Sequence, residues 1–194
     1  MRRVISLWLP RFSTERIGRS RGSSPSALKP LATVAADRGQ LIVAAVSPAA
    51  ECRGVAPGQT LADARAAIPG LEIADHDEAA DLHLLARLAY WCARFSPLVA
   101  LDGDGLLLDI TGVPHLFGGE EAMLENLTGR IRRFGFTVRA GLADTPGAAW
   151  ACARYGRDGF ALKSVSTERG RWCRRTSRTG SAMSPSETIP VASG

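Results

Sequence analysis

The chain has 194 residues, 45% of them hydrophobic and 22% charged, with a mean hydropathy close to zero. It is long and apolar enough to bury a core, which excludes a wholly disordered protein. No apolar run approaches the roughly 18 to 20 residues of a membrane-spanning helix, and Pro10 and Arg11 interrupt Val4 to Leu9 where a signal peptide would still be hydrophobic, so the expectation is a cytoplasmic protein with no membrane partner.

The formal charge of +5 is unevenly spread. Residues 1–162 hold 18 Lys and Arg against 17 Asp and Glu. The remaining excess sits in residues 163–194, rich in Ser, Thr and Gly, which read as a disordered tail able to add salt-sensitive attraction to nucleic acid. Cys52, Cys92, Cys152 and Cys173 form no C-x-x-C pair, and the expectation is reduced, mostly buried thiols.

In chain order, Val4 to Leu9 reads as a buried strand ending at Pro10, followed by a short helix over Arg11 to Arg21. Gly22 to Pro30 is a loop by composition. Leu31 to Ala36 and Gln40 to Val46 flank Asp37-Arg38-Gly39 as a hairpin. Thr60 is placed to cap a helix over Leu61 to Ala67, Pro69-Gly70 stops it, and Leu71 to Ala74 returns to strand.

The longest helical signal runs from Asp77 to Phe95, with Leu82, Leu85, Leu88, Ala89 and Cys92 as its apolar face. Leu98 to Leu101 and Leu106 to Thr111 read as two strands around a tight turn, the second of them central to a sheet. A helix over Glu120 to Phe134, a strand over Thr137 to Leu142 and a helix opened by Asp144 or Thr145 with Pro146 in its first turn complete the pattern. The fold class is α/β (α+β): a mixed sheet with helices on one face and a smaller inserted unit. The boundaries are residues 1–21, the insertion 22–75, residues 76–162, and the tail 163–194.

The chemistry visible in the spacing is sparse. Asp102, Asp104 and Asp109 are the close acidic cluster in a strand context, but Leu106 and Val113 fall where a calcium loop needs oxygen ligands. Asp104 and Asp109, five apart, would point to opposite faces of a regular strand, so a turn without metal is the preferred reading. Asp75-His76-Asp77-Glu78 suits capping of the long helix, and His83 and His115 lack partners at ligand spacing. Arg130, Arg132 and Arg133 with Arg139 form the densest basic group, able to contact phosphates if they share a face.

Several segments, in collinear order over about residues 3–162, carry a resemblance. They are PLATVA, GQLIVAAVSPAAECRGVAPGQTLADARAAIPGLEIAD, FSPLVALDGDGLLLDITG, HLFGG and TVRAGLADTPGAAWACARYG. Together they resemble the N-terminal part of the Y-family translesion DNA polymerases, in particular their degenerate, ImuB-type bacterial branch. The resemblance implies a palm built around the mixed sheet, with fingers inserted between the first and later palm strands.

Nucleotidyl transfer in such enzymes requires carboxylates that hold Mg²⁺. On the resemblance, the two acidic positions of the first palm strand fall on Trp8 and Pro10, and the later Asp-Glu pair falls on Asp104 and Gly105, leaving Asp104 as a vestigial carboxylate. The fingers motif that grips the triphosphate falls on Pro48 to Glu51, so an acid replaces a guanidinium, and a further phosphate-binding Lys position falls on Pro146. The implication is a chain without polymerase activity and without a cofactor, Mg²⁺ belonging only to the alternative of a weakly active nucleotidyltransferase. A non-functional fragment is the other alternative.

What the resemblance implies for function is a scaffold of damage-induced mutagenesis (the SOS response and translesion synthesis). It would engage damaged or primer-template DNA, an error-prone C-family polymerase, a RecA-like partner and the sliding clamp, and act at the nucleoid. After about Leu162 the sequence no longer aligns with the family, and a truncated or frameshifted reading frame is the expectation drawn from that change.

Overall fold

The computed structural model describes residues 2–22, 29–156 and 160–162. The tail expected at 163–194 therefore lies outside the described residues, as does Cys173.

Among the described residues, eight strands divide between two sheets. The larger runs β5-β6-β1-β7-β8 and the smaller β3-β2-β4. In the larger, β1 (Val4–Trp8) lies between β6 (Gly105–Asp109) and β7 (Arg139–Ala143) and is antiparallel to both. At the edges, β5 (Leu98–Asp102) pairs antiparallel with β6, and β8 (Phe160–Leu162) pairs parallel with β7. The central strand is therefore β1, with β6 beside it.

The sheet is covered on both faces, a departure from the one-sided packing expected. Ile5, Leu7, Leu106, Leu108, Ala140 and Leu142 share one face and pack on Leu85, Leu88 and Cys92 of α4 (Glu78–Cys92) and Met123, Leu124, Leu127 and Ile131 of α5 (Glu120–Arg133). Val4 and Ala143 project from the other face, onto Ala149 of α6 (Pro146–Tyr155). Burial on both sides explains why Val4 to Leu7 reads as a continuous run without alternation. The cause of the second layer is local. Pairing β7 parallel with β8 requires a crossover, and α6 supplies it. Gly141 lets α6 lie close, because a Cβ there would stand 2.2 Å from the Ala149 carbonyl oxygen.

Within α4, Leu85, Leu88 and Cys92 are buried, whereas Leu82, expected on the same face, is exposed. Asp77 caps this helix, its side chain accepting from the Ala80 amide at 2.9 Å. Thr145 likewise caps α6, with Pro146 in the first turn.

The smaller sheet is a hairpin of β2 (Leu31–Asp37) and β3 (Gln40–Val46), with β4 (Glu72–Asp75) parallel to β2. Arg38 and Gly39 both have positive φ, 47° and 81°, the geometry of a two-residue type I′ turn. Ala32, Val43, Val46, Ala50, Val55, Ala64, Ile68 and Leu71 form its core, closed by α2 (Pro48–Glu51) and α3 (Leu61–Ala67). The short helix α2 has no counterpart in the sequence reading, nor does the 3-10 turn Pro114–Phe117.

Helix α1 (Phe12–Ser20) joins the two sheets. Phe12 enters the larger core, while Thr14 Oγ1 donates to the Val46 carbonyl. Arg11 pairs with Glu51 at 2.6 Å, Arg16 with Asp81, and Arg21 with Glu72. Of the thiols, Cys92 is buried and its pKa is pushed up to about 12 by desolvation. Cys52 is exposed and Cys152 half-buried, so the expectation of mostly buried cysteines does not hold.

Candidate functional site

The strand registers assemble one row across the α6 face of the larger sheet. Trp8 sits opposite Gly105 on one side and Arg139 on the other, and Asp102 sits opposite Gly105 from β5. Directly paired residues project to the same face, so Asp102, Gly105, Trp8 and Arg139 are lateral neighbours. Asp104 caps the end of this row in the turn between β5 and β6, its carbonyl accepting from the Leu9 amide at 3.1 Å.

Helix α6 runs back along the sheet and delivers Arg154 onto the row. Arg154 Nη2 lies 2.7 Å from Asp104 Oδ1. Its guanidinium carbon stands 4.2 Å from the ring centroid of Trp150 and 5.5 Å from that of Trp8. The other carboxylate oxygen, Asp104 Oδ2, accepts from Trp8 Nε1 at 2.5 Å. Arg139 flanks Trp8 with its guanidinium carbon 5.6 Å from the ring centroid, and its Nη2 donates to the Gly156 carbonyl. The guanidinium of Arg154 is thus held by a charge-assisted hydrogen bond and two indole faces, with only 12% of the side chain exposed. Three buried polar atoms have no hydrogen-bond partner among the described residues: Arg154 Nη1, Asp102 Oδ2 and Ser6 Oγ.

This donor set does not fit Mg²⁺. An oxygen-ligated divalent ion needs several free oxygens, usually carboxylates, and both oxygens of Asp104 already accept from protein donors. Trp8 offers no oxygen. Position 105 is closed to any side chain, since a Cβ there would stand 2.1 Å from the Leu7 carbonyl oxygen. Among the described residues, no group of three or more His, Cys, Asp or Glu is gathered to hold a metal.

The structure thus brings Trp8, Asp104 and Gly105 together, with Pro10 just beyond β1. Glu51 reaches the same end of the molecule through its pair with Arg11, and Pro48 opens α2. Pro146 does not belong to this group. It follows the Val4 end of β7, about 13 Å of strand from Arg139, four residues at ~3.3 Å each. Asp109 is also remote: it lies at the far end of β6 from Asp104, held by Arg2 and Thr111, so strand length separates the two rather than opposite faces of one strand. Hydrogen bonds from Thr111 and from Arg2 hold the Asp109 carboxyl below the usual range.

The basic group divides as well. Arg130, Arg132 and Arg133 stand exposed in the last turn of α5, on the opposite side of the sheet, and Arg130 bonds Asn126. Arg139 belongs to the Trp8 row and does not share a face with them. Sequence reasoning missed Trp150 and Arg154. Their signal was the four-residue spacing that stacks them on one flank of α6, beside the buried pair Ala149 and Ala153.

The fold is that of the Y-family DNA polymerases, as the sequence motifs implied. It is similar to a post-insertion binary complex of Dbh DNA polymerase, with a TM-score of 0.72 at 17% identity, covering 84% of this chain and 48% of that one. DinB from Sulfolobus solfataricus is similar over the same shares, with a TM-score of 0.67 and 17% identity. Residues 21–154 match the impB/mucB/samB family, and the chain belongs to that family. It is also 59% identical over 106 residues to Protein ImuB of two strains of Caulobacter vibrioides. That stretch is 54% of this chain and 23% of the length of those relatives. Among the described residues, no helix is long and apolar enough to cross a membrane.

Proposed function

We propose that this chain serves damage-induced mutagenesis as a polymerase-like scaffold that performs no nucleotidyl transfer. The observation that carries the reading is the state of Asp104: its two oxygens are taken by Trp8 Nε1 and Arg154 Nη2, and Gly105 leaves no room for a second carboxylate beside it. The 59% identity to Protein ImuB supports the assignment to mutagenesis. In this reading the larger sheet is a palm and the smaller one the fingers. Trp8, Pro10 and Gly105 stand at lost metal-ligand positions, and Glu51 puts an acid where a triphosphate contact would be.

The partners proposed are damaged or primer-template DNA, an error-prone C-family polymerase, a RecA-like protein and the sliding clamp, all in the cytoplasm at the nucleoid. Arg130, Arg132 and Arg133 are the phosphate-contact candidates, exposed and clustered at the end of α5. Primer extension tests the reading. No product is expected at high protein concentration with Mg²⁺ or Mn²⁺. Incorporation that disappears in Asp104→Ala would establish the alternative of a weak nucleotidyltransferase and overturn it. Fluorescence anisotropy with labelled primer-template DNA tests the DNA contact, and loss of binding on reversing Arg130, Arg132 and Arg133 to Glu is the expected result.

A further inference from the structure

The guanidinium of Arg154 sits where three different groups converge on a positive charge. Asp104 Oδ1 is 2.7 Å from Nη2, the Trp150 ring centroid is 4.2 Å from the guanidinium carbon and the Trp8 centroid 5.5 Å. A carboxylate with two aromatic faces is a cation cage by its chemistry. The side chain is 12% exposed, so water does little to compete for it. The remaining nitrogen, Nη1, is buried without a hydrogen-bond acceptor among the described residues.

We infer that Arg154 is the resident cation of this site. The cage formed by Asp104, Trp8 and Trp150 is filled by the chain's own guanidinium, which excludes a divalent ion independently of the missing carboxylates. This deepens the non-catalytic reading and rests on it for the meaning of the site. The consequence is specific. Restoring an acid at position 8 adds an oxygen ligand, but it also offers the unpartnered Nη1 a carboxylate to bind, and Arg–carboxylate pairing is strong and often bidentate. A divalent ion approaching Asp104 beside a fixed guanidinium would meet like charge at close range. The acid alone therefore leaves the site closed, and removal of the guanidinium charge opens it.

The test is Mn²⁺ binding to the full chain by electron paramagnetic resonance. The variants are Trp8→Asp, Trp8→Asp/Arg154→Lys and Trp8→Asp/Arg154→Gln. Lys keeps a cation of similar reach, and Gln keeps much of the stem without charge, so neither opens the large cavity that Ala would. The wild type, Trp8→Asp and the Lys double variant are expected to bind no Mn²⁺ at this site. The Gln double variant is expected to bind Mn²⁺ at least about tenfold more tightly than the detection limit that Trp8→Asp sets, a gain lost when Asp104→Asn is added. A circular dichroism melt on each variant identifies any that fails to fold, and Trp8→Asp/Arg154→Met then replaces the Gln variant. Equal binding by Trp8→Asp and the Gln variant, or Asp104-dependent binding by the wild type, would overturn the inference. Either result with no primer extension leaves the non-catalytic reading standing, whereas primer extension by the wild type fails that reading on its own.

Discussion

Gly105 offers the most direct test of how the site is built. An alanine Cβ at this position would stand 2.1 Å from the Leu7 carbonyl oxygen, 3.2 Å from the Leu7 carbonyl carbon and 3.4 Å from Trp8 Cα. All three atoms are backbone of the central strand, so no rotamer change relieves the overlap. Either β1 and β6 separate at the Leu7–Leu106 and Trp8–Gly105 pairs, or β1 shifts against β7 on its other side. Overpacking of this kind costs about 1–3 kcal/mol, and the rigid backbone on the far side places Gly105→Ala at the upper end, about 3 kcal/mol. For a domain of this size that lowers Tm by roughly 6–12 °C. Gly129 is the control. It lies inside α5 with nothing within 4 Å of an added Cβ, so Gly129→Ala should stabilise by about 0.5–1 kcal/mol through helix propensity. Thermal and urea unfolding followed by circular dichroism measure both. If Gly105→Ala unfolds within about 0.5 kcal/mol of wild type, the close approach of the two strands does not exist as described, and the argument that position 105 is barred from carrying a carboxylate fails with it.

Burial raises the pKa of Glu15, which is 5% exposed, against hydrogen bonds from the Thr137 hydroxyl and amide. The folded state therefore holds this proton more tightly than the unfolded one. Its contribution to stability is full below the ordinary Glu pKa and is lost as pH rises through the raised value. Glu15→Gln should flatten that fall in a pH series of urea midpoints, and an unchanged slope would reject the assignment. The Arg11–Glu51 pair between the two sheets has side chains 29% and 55% exposed. A double-mutant cycle should accordingly return no more than about 1 kcal/mol, shrinking in high salt. Under native conditions, Cys52 should react with a thiol reagent at once and Cys92 only on unfolding, because Cys92 is buried with a pKa of about 12. Rapid labelling of Cys92, read by mass spectrometry, would contradict its place on the buried face of α4.

The elements of this fold were legible wherever one local rule sufficed. The glycine-containing turn at Arg38-Gly39, the Thr60, Asp77 and Thr145 caps and the span of α5 each follow from a few adjacent residues. The second helical layer was not legible, because it depends on β8 pairing parallel with β7, a contact that no local pattern announces. The same limit governed the site. Comparing motif positions led to the expectation of lost ligands at Trp8 and Gly105 and of Asp104 as a vestigial carboxylate, and it gave Asp104 no partner. In the structure Asp104 is not alone. The indole of Trp8 donates to the surviving carboxylate, and a guanidinium from a helix some fifty residues downstream in sequence neutralises it. Asp104 is half exposed, so water solvates much of its carboxylate, whereas the Arg154 side chain is only 12% exposed and is the charge that would be costly to leave unpaired. Asp104 is the partner that the Arg154 guanidinium finds here. By this logic Trp8, Asp104, Trp150 and Arg154 should be treated as one unit: substitutions within it should be strongly non-additive, and a change at Trp8 should be felt first by the Asp104–Arg154 pair rather than by any bound ion.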